Sequence, residues 1–218
     1  MAFAGWPAEA FTFYEGLSED NSKAYWTAHR ATFETAVQAP LEELVDELEP
    51  VLGPAWIMRP YRDIRFSKDK SVYRTWLGAR IGDAMVGVSA AGLGVGGGMR
   101  HLAPDQLERY REAVADDGSG QELRTAIATV AAAGFDVHGT DPLRTAPRGY
   151  PADHARIDLL RNKGLIAWKR WPASERWIGT PAAKSRITAA IEESAPLRAW
   201  LRERVGPSQL EPRRRGGR

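Results

Sequence analysis

Apolar residues recur at helical spacing through the first fifty positions of this 218-residue chain. Ala10, Phe13, Tyr14 and Leu17 fall on one stripe behind Pro7, a residue suited to a helix start. Asn21 or Ser22 stands where the cap of a second helix belongs, and Trp26, Phe33, Ala36 and Val37 share that helix's face. His29 lies on the same stripe and reads as a packed core histidine. Pro40 opens a third predicted helix, with Leu41, Leu44, Val45, Leu48 and Leu52 at helical spacing and acidic residues between them.

From Ala55 the period shortens. Residues 56–58, 77–81 and 85–90 read as strands, the last through the alternation of Val86, Val88 and Ala90. The glycine-rich run 92–98 leads to a helix that starts at Pro104 and places Leu107, Tyr110 and Val114 on one side. A further helix follows Gly120 through Leu123, Ile127 and Val130. Residues 135–137, 143–145 and 165–171 read as strands, with a short helix over 155–162 between the last two. Helices over 181–193 and 196–205 close the pattern. It predicts an α+β fold, a mostly antiparallel sheet flanked by N-terminal, middle and C-terminal helices. Residues 1–206 read as a single domain and 207–218 as a disordered basic tail.

Composition narrows the function classes. There is no cysteine, hence no disulfide framework, thiol nucleophile or thiolate zinc site. No apolar run approaches the roughly 20 residues of a membrane span, and the start lacks a secretory pattern, so the expected location is cytoplasmic, with no membrane partner. The net charge of +2 owes much to the tail, which holds four of the 30 basic residues; residues 1–206 carry 26 basic against 27 acidic. That near-neutral body makes nucleic acid the less favoured partner. Local charge is uneven: residues 1–58 hold two basic and ten acidic side chains, residues 59–80 seven and two, and residues 140–177 eight and four.

Candidate chemistry collects in two stretches. In Tyr61, Arg62, Asp63, Ile64, Arg65, Phe66, Ser67, Lys68, Asp69 and Lys70, an extended backbone puts Ile64 and Phe66 on one side and Tyr61, Asp63, Arg65 and Ser67 on the other. Arginine forks match phosphate and carboxylate oxygens, and Lys68 and Lys70 add compact positive charge, so an anion is the natural guest. The second stretch runs from Pro147 through Arg148, Gly149, Tyr150, Asp153 and His154 to Asp158, Arg161 and Lys163. His154 and Asp158 are four apart and would meet on a helix face as an acid–base pair; a helix-start hydrogen-bond network uses the same residues. The glycines of 92–98 lack the Lys-Ser/Thr of a phosphate loop and read instead as sites of close strand packing, and the four histidines lack metal-ligand spacing, so no metal is expected and no cofactor is indicated.

The run YRDIRFSKDKSVY at 61–73, continued by Arg74, Thr75 and Trp76, resembles the signature YRDxRFSKDKxxY of a family of conserved hypothetical proteins, the domain of unknown function 2461. Asp20, Asn21, Tyr25 and Trp26, the glycines 96–98 before a Pro-Asp helix start, and PRGYPADHARIDLLRNKG at 147–164 are similar to its other landmarks. Val72 and Ala155 stand where proline is expected in many members. The resemblance implies an α+β fold and carries over no catalytic role.

Three readings remain open. In the first, both stretches line one cleft in which Arg62, Arg65, Ser67, Lys68, Lys70, Tyr73, Arg148 and Tyr150 bind an anionic small molecule, with Asp63 and His154 as proton-transfer groups. In the second, a non-enzymatic module binds nucleic acid or protein through the basic stretches and Trp168, Trp171 and Trp177. In the third, the charged residues are a structural ion-pair network.

Overall fold

The computed structural model describes residues 2–65 and 69–211, and in it the apolar stripes of the first fifty residues become helices. Helix α1, Ala8–Glu19, follows Pro7 and buries Ala10, Phe11, Phe13, Tyr14 and Leu17. Helix α2, Lys23–Thr32, is capped by Ser22, whose hydroxyl accepts the Tyr25 N–H at 3.1 Å. The chain does not break before α3, Ala39–Leu52, as the proline suggests; a π-helical turn, Phe33–Gln38, joins the two helices. Its wide bonding ends with the Ala39 N–H on the Glu34 carbonyl. The next residue, Pro40, has no N–H to place, so the widened turn absorbs the proline without a break.

Six strands follow, β1 Ala55–Ile57, β2 Trp76–Ile81, β3 Ala84–Ser89, β4 Gly92–Met99, β5 Asp136–Gly139 and β6 Leu165–Pro172. They form an antiparallel sheet in the order β1-β2-β3-β4-β6-β5. With the helices this is an α+β fold. The pairs Leu77↔Val88, Ala79↔Val86 and Ile81↔Ala84 point to one face, which is fully buried and against which α1 and α3 pack. The alternate pairs, Trp76↔Ser89, Gly78↔Gly87 and Arg80↔Met85, point to the other. The glycine-rich run is strand β4: Leu93 and Val95 enter the core, while Gly94 faces the opposite way, where a Cβ would stand 2.5 Å from the Trp168 indole nitrogen.

The chain divides into two compact units. Residues 2–96 and Trp168–Glu192 make the first; residues 97–167 and the described residues from 193 onward make the second. The first holds α1–α3, β1–β3, a 3-10 turn at Arg176–Gly179 and most of a helix over Ala182–Glu193, with Lys184 bonded to Glu47 of α3 at 2.6 Å. In order along the chain, the remaining helices are α4 Pro104–Ala115, α5 Asp117–Ala132, α6 Ile157–Leu160, α7 (the Ala182–Glu193 helix just described) and α8 Ala195–Arg204. In the second unit α4, α5 and α8 share a core of Tyr110, Val114, Leu123, Val130, Leu197 and Trp200, and the Trp200 indole donates to the Ser119 carbonyl at 3.0 Å. Asp116 caps α5 through the Ser119 N–H, so that helix starts before Gly120. Residues 143–145 are not a strand. The Leu143 N–H bonds to the Arg161 carbonyl and the Arg161 guanidinium bonds back to the Leu143 and Arg144 carbonyls, which takes these backbone groups away from any sheet partner. Among the described residues no helix is long and apolar enough to cross a membrane.

Candidate functional site

In the first unit, the residues after β1, from Tyr61, and those before β2, up to Arg74, lie side by side as a narrow ribbon. Tyr61 and Tyr73 pair as an isolated antiparallel bridge, flanked by Arg62 N–H to the Val72 carbonyl at 2.8 Å and Arg74 N–H to the Pro60 carbonyl at 2.7 Å. Asn21 completes the clamp from the α1–α2 junction. Its amide nitrogen donates to the Tyr73 carbonyl at 3.0 Å and its oxygen accepts the Tyr73 N–H at 2.9 Å, as a third strand would. One ribbon face therefore lies on α2, with the Tyr73 ring stacked on Trp26 at 4.4 Å and 7° and Tyr61 5.7 Å from the same indole. Tyr73 is only 6 % exposed and is a core ring, whereas Tyr61 is 51 % exposed. Period-two geometry puts Arg62, Val72 and Arg74 on the other face.

The charged residues of the ribbon largely hold one another. Arg62 is ion-paired with Asp69, which also accepts the Ser71 N–H at 2.9 Å. The Arg62 bond, then those from Ser71, keep the Asp69 carboxyl far below the usual carboxylate range. Arg65 forks onto both Asp63 oxygens at 3.0 and 2.8 Å, and that carboxylate raises the guanidinium's pKa further. Lys70 donates to the Ile64 carbonyl at 3.3 Å. Phe66, Ser67 and Lys68 lie outside the described residues.

Arg74 differs from these. It is half-buried, its Nε is out of reach of solvent, and among the described residues that Nε has no hydrogen-bond acceptor and no carboxylate forms an ion pair with the guanidinium. Arg74 continues the signature run but does not stand among the candidate ligand residues. The usable signal was its pairing distance: once Tyr61 and Tyr73 are opposed, Arg62 and Arg74 must share a face.

In the second unit, residues 147–164 act mainly as a brace. Arg156 sends Nε to the Val114 carbonyl at 2.6 Å and a terminal nitrogen to the Ala115 carbonyl at 2.8 Å and to Asp117 at 2.7 Å, so one guanidinium caps the C-terminus of α4 and reaches the start of α5. Gly120 leaves room for it, since a Cβ there would stand 2.4 Å from the Arg156 Nε. His154 precedes α6, and its Nδ1 accepts the Arg156 N–H at 3.0 Å; Asp158 instead receives two Arg124 nitrogens at 2.8 and 2.6 Å. His154 and Asp158 thus have separate partners. Arg148 is exposed beside Gly149, whose φ of +90° suits glycine, and Tyr150 is half-buried with its phenol pKa raised, chiefly by burial. Of the three tryptophans of the second reading, Trp168, Trp171 and Trp177 are all half-buried in the first unit, and Arg186 stands 4.7 Å over the Trp177 ring.

A protein-family model described as Conserved hypothetical protein (DUF2461) matches residues 9–200. No curated protein and no solved structure matches the chain.

Proposed function

Because this chain belongs to the family described as Conserved hypothetical protein (DUF2461), a description that names no reaction, we propose a function from its own side chains: it binds a phosphate- or carboxylate-bearing small molecule at the ribbon of residues 61–76. The observation that carries this is Arg74. A buried N–H without an acceptor costs about 1–3 kcal/mol, and a ligand oxygen would remove that cost. Arg62 lies diagonally across the same ribbon face, roughly 7–8 Å away in backbone terms, and can share its charge between Asp69 and an anion. Lys70 adds exposed positive charge, and the exposed Tyr61 ring offers a flat surface for the rest of the ligand.

The pairs Arg62–Asp69 and Arg65–Asp63 support the structural reading for those two arginines, which is why the ligand is assigned to Arg74 rather than to Arg65. The reading rests on the first unit alone. Thermal unfolding with inorganic phosphate, pyrophosphate, citrate or AMP, each against sodium chloride at matched ionic strength, tests it. At least one anion should raise the melting temperature of the wild type and of Arg65→Gln, and leave Arg74→Gln unmoved. An equal rise in Arg74→Gln would sink the assignment.

A further inference from the structure

The sheet face of the first unit that turns away from α1 and α3 carries a different pattern. Gly78 and Gly87 are directly paired across β2 and β3, and the six-membered ring of Trp76 lies over both: a Cβ at either would meet that ring at 2.4 and 3.1 Å. Trp168 lies over Gly94 of β4 in the same way. Missing side chains thus let two indoles lie close on the backbone, and both remain half-buried rather than fully covered. Trp56, 55 % exposed on edge strand β1, pairs with Arg80 and stands on this face too. Arg170, two residues beyond Trp168, keeps its guanidinium carbon 5.8 Å from that ring.

The charged residues of the strands that build this face have one sign. Arg80 and Arg170 are exposed and form no ion pair among the described residues, and strands β1, β2, β3, β4 and β6 contain no Asp or Glu. The aromatic row runs from β1 to β6, four strand intervals or about 19 Å, with an arginine toward each end. That is too long for one base and fits several successive bases joined by a polyanionic backbone. We propose that this face is a stacking platform for single-stranded nucleic acid, with Trp56, Trp76 and Trp168 receiving bases and Arg80 and Arg170 receiving phosphates. Stacking on an indole tolerates any base, so recognition of strandedness rather than sequence follows.

Fluorescence anisotropy of labelled 12-mers of U and of dT, with a 12-bp duplex and AMP as competitors, tests this on the full chain. Both single strands should bind, with RNA and DNA separated by at most a few-fold, and neither competitor should displace them at equal nucleotide concentration. Trp168→Ala should weaken binding about tenfold or more; the Arg80→Gln, Arg170→Gln double variant should keep its circular dichroism and flatten the salt dependence. Absence of binding, equal competition by duplex or AMP, or binding that ignores both variants but disappears when Arg213, Arg214 and Arg215 become Gln would each overturn the proposal.

Discussion

Asn21 lies 52 residues from Tyr73 in the chain, yet its amide makes both hydrogen bonds that a neighbouring strand would make to that residue. Replacing it by alanine leaves the Tyr73 N–H and carbonyl without those partners in a part-buried site. At about 1 kcal/mol net for each bond, Asn21→Ala should lower the unfolding free energy by about 2 kcal/mol, measured by urea denaturation followed by circular dichroism. A loss below about 0.5 kcal/mol would mean that the stacked rings hold the ribbon by themselves. Sequence pattern supplied the neighbouring Ser22 cap because a cap is local, its acceptor three residues from its donor. Asn21 could not be read the same way, since nothing near it announces a partner so far along the chain. His29 shows the converse error. Its position on the stripe suggested burial, but it is exposed, stacks on Tyr25 at 4.0 Å and places its Nδ1 2.9 Å from that residue's carbonyl.

At the level of elements, helices with apolar stripes were legible, and the glycine run of β4 pointed to close strand packing without naming the residue that packs there. Leu93 and Val95 show the alternation of β4, but Gly94 faces a tryptophan from β6, and an absent side chain leaves no local trace of the reason for its absence. The brace of residues 147–164 was likewise visible as charge and not as geometry, because Arg156 serves carbonyls about forty residues earlier in the chain. Helix α4 carries a comparable device at its other end. Asp105 accepts the Gln209 N–H and the Ser208 hydroxyl, both at 2.8 Å, and an Arg109 nitrogen at 3.2 Å, fastening the segment after α8 to the first turn of α4. These bonds, the Gln209 one foremost, outweigh partial burial and lower its pKa from 3.8 to about 2. The folded state therefore favours the carboxylate, so the tether is fully present above about pH 4 and is lost as pH falls through about 2. The Gln209 amide resonance should titrate with a midpoint near 2 and cease to titrate in Asp105→Asn; a midpoint at 3.8 would show that the bonds do not persist in solution.

For the whole molecule, the two units are not successive pieces of chain. The boundary is crossed after Gly96, after Ala167 and after Glu192, so the first unit draws on two separated stretches. Residues 2–96 alone lack Trp168, which covers Gly94, Ile178, whose carbonyl takes the Trp6 N–H at 2.9 Å, and Lys184, the partner of Glu47. A fragment ending at residue 96 should therefore show no cooperative urea transition. β4 and β6 are antiparallel neighbours that run out of the first unit together, so the same fragment joined from residue 96 to 168–192 through a short Asn-Gly turn needs only a hairpin connection. That joined chain should unfold in one sigmoidal transition with native-like circular dichroism. If residues 2–96 fold by themselves, β6 and α7 are accessories to the first unit; if the joined chain also fails, its core depends on the second unit and the division into units is one of contact density rather than of stability.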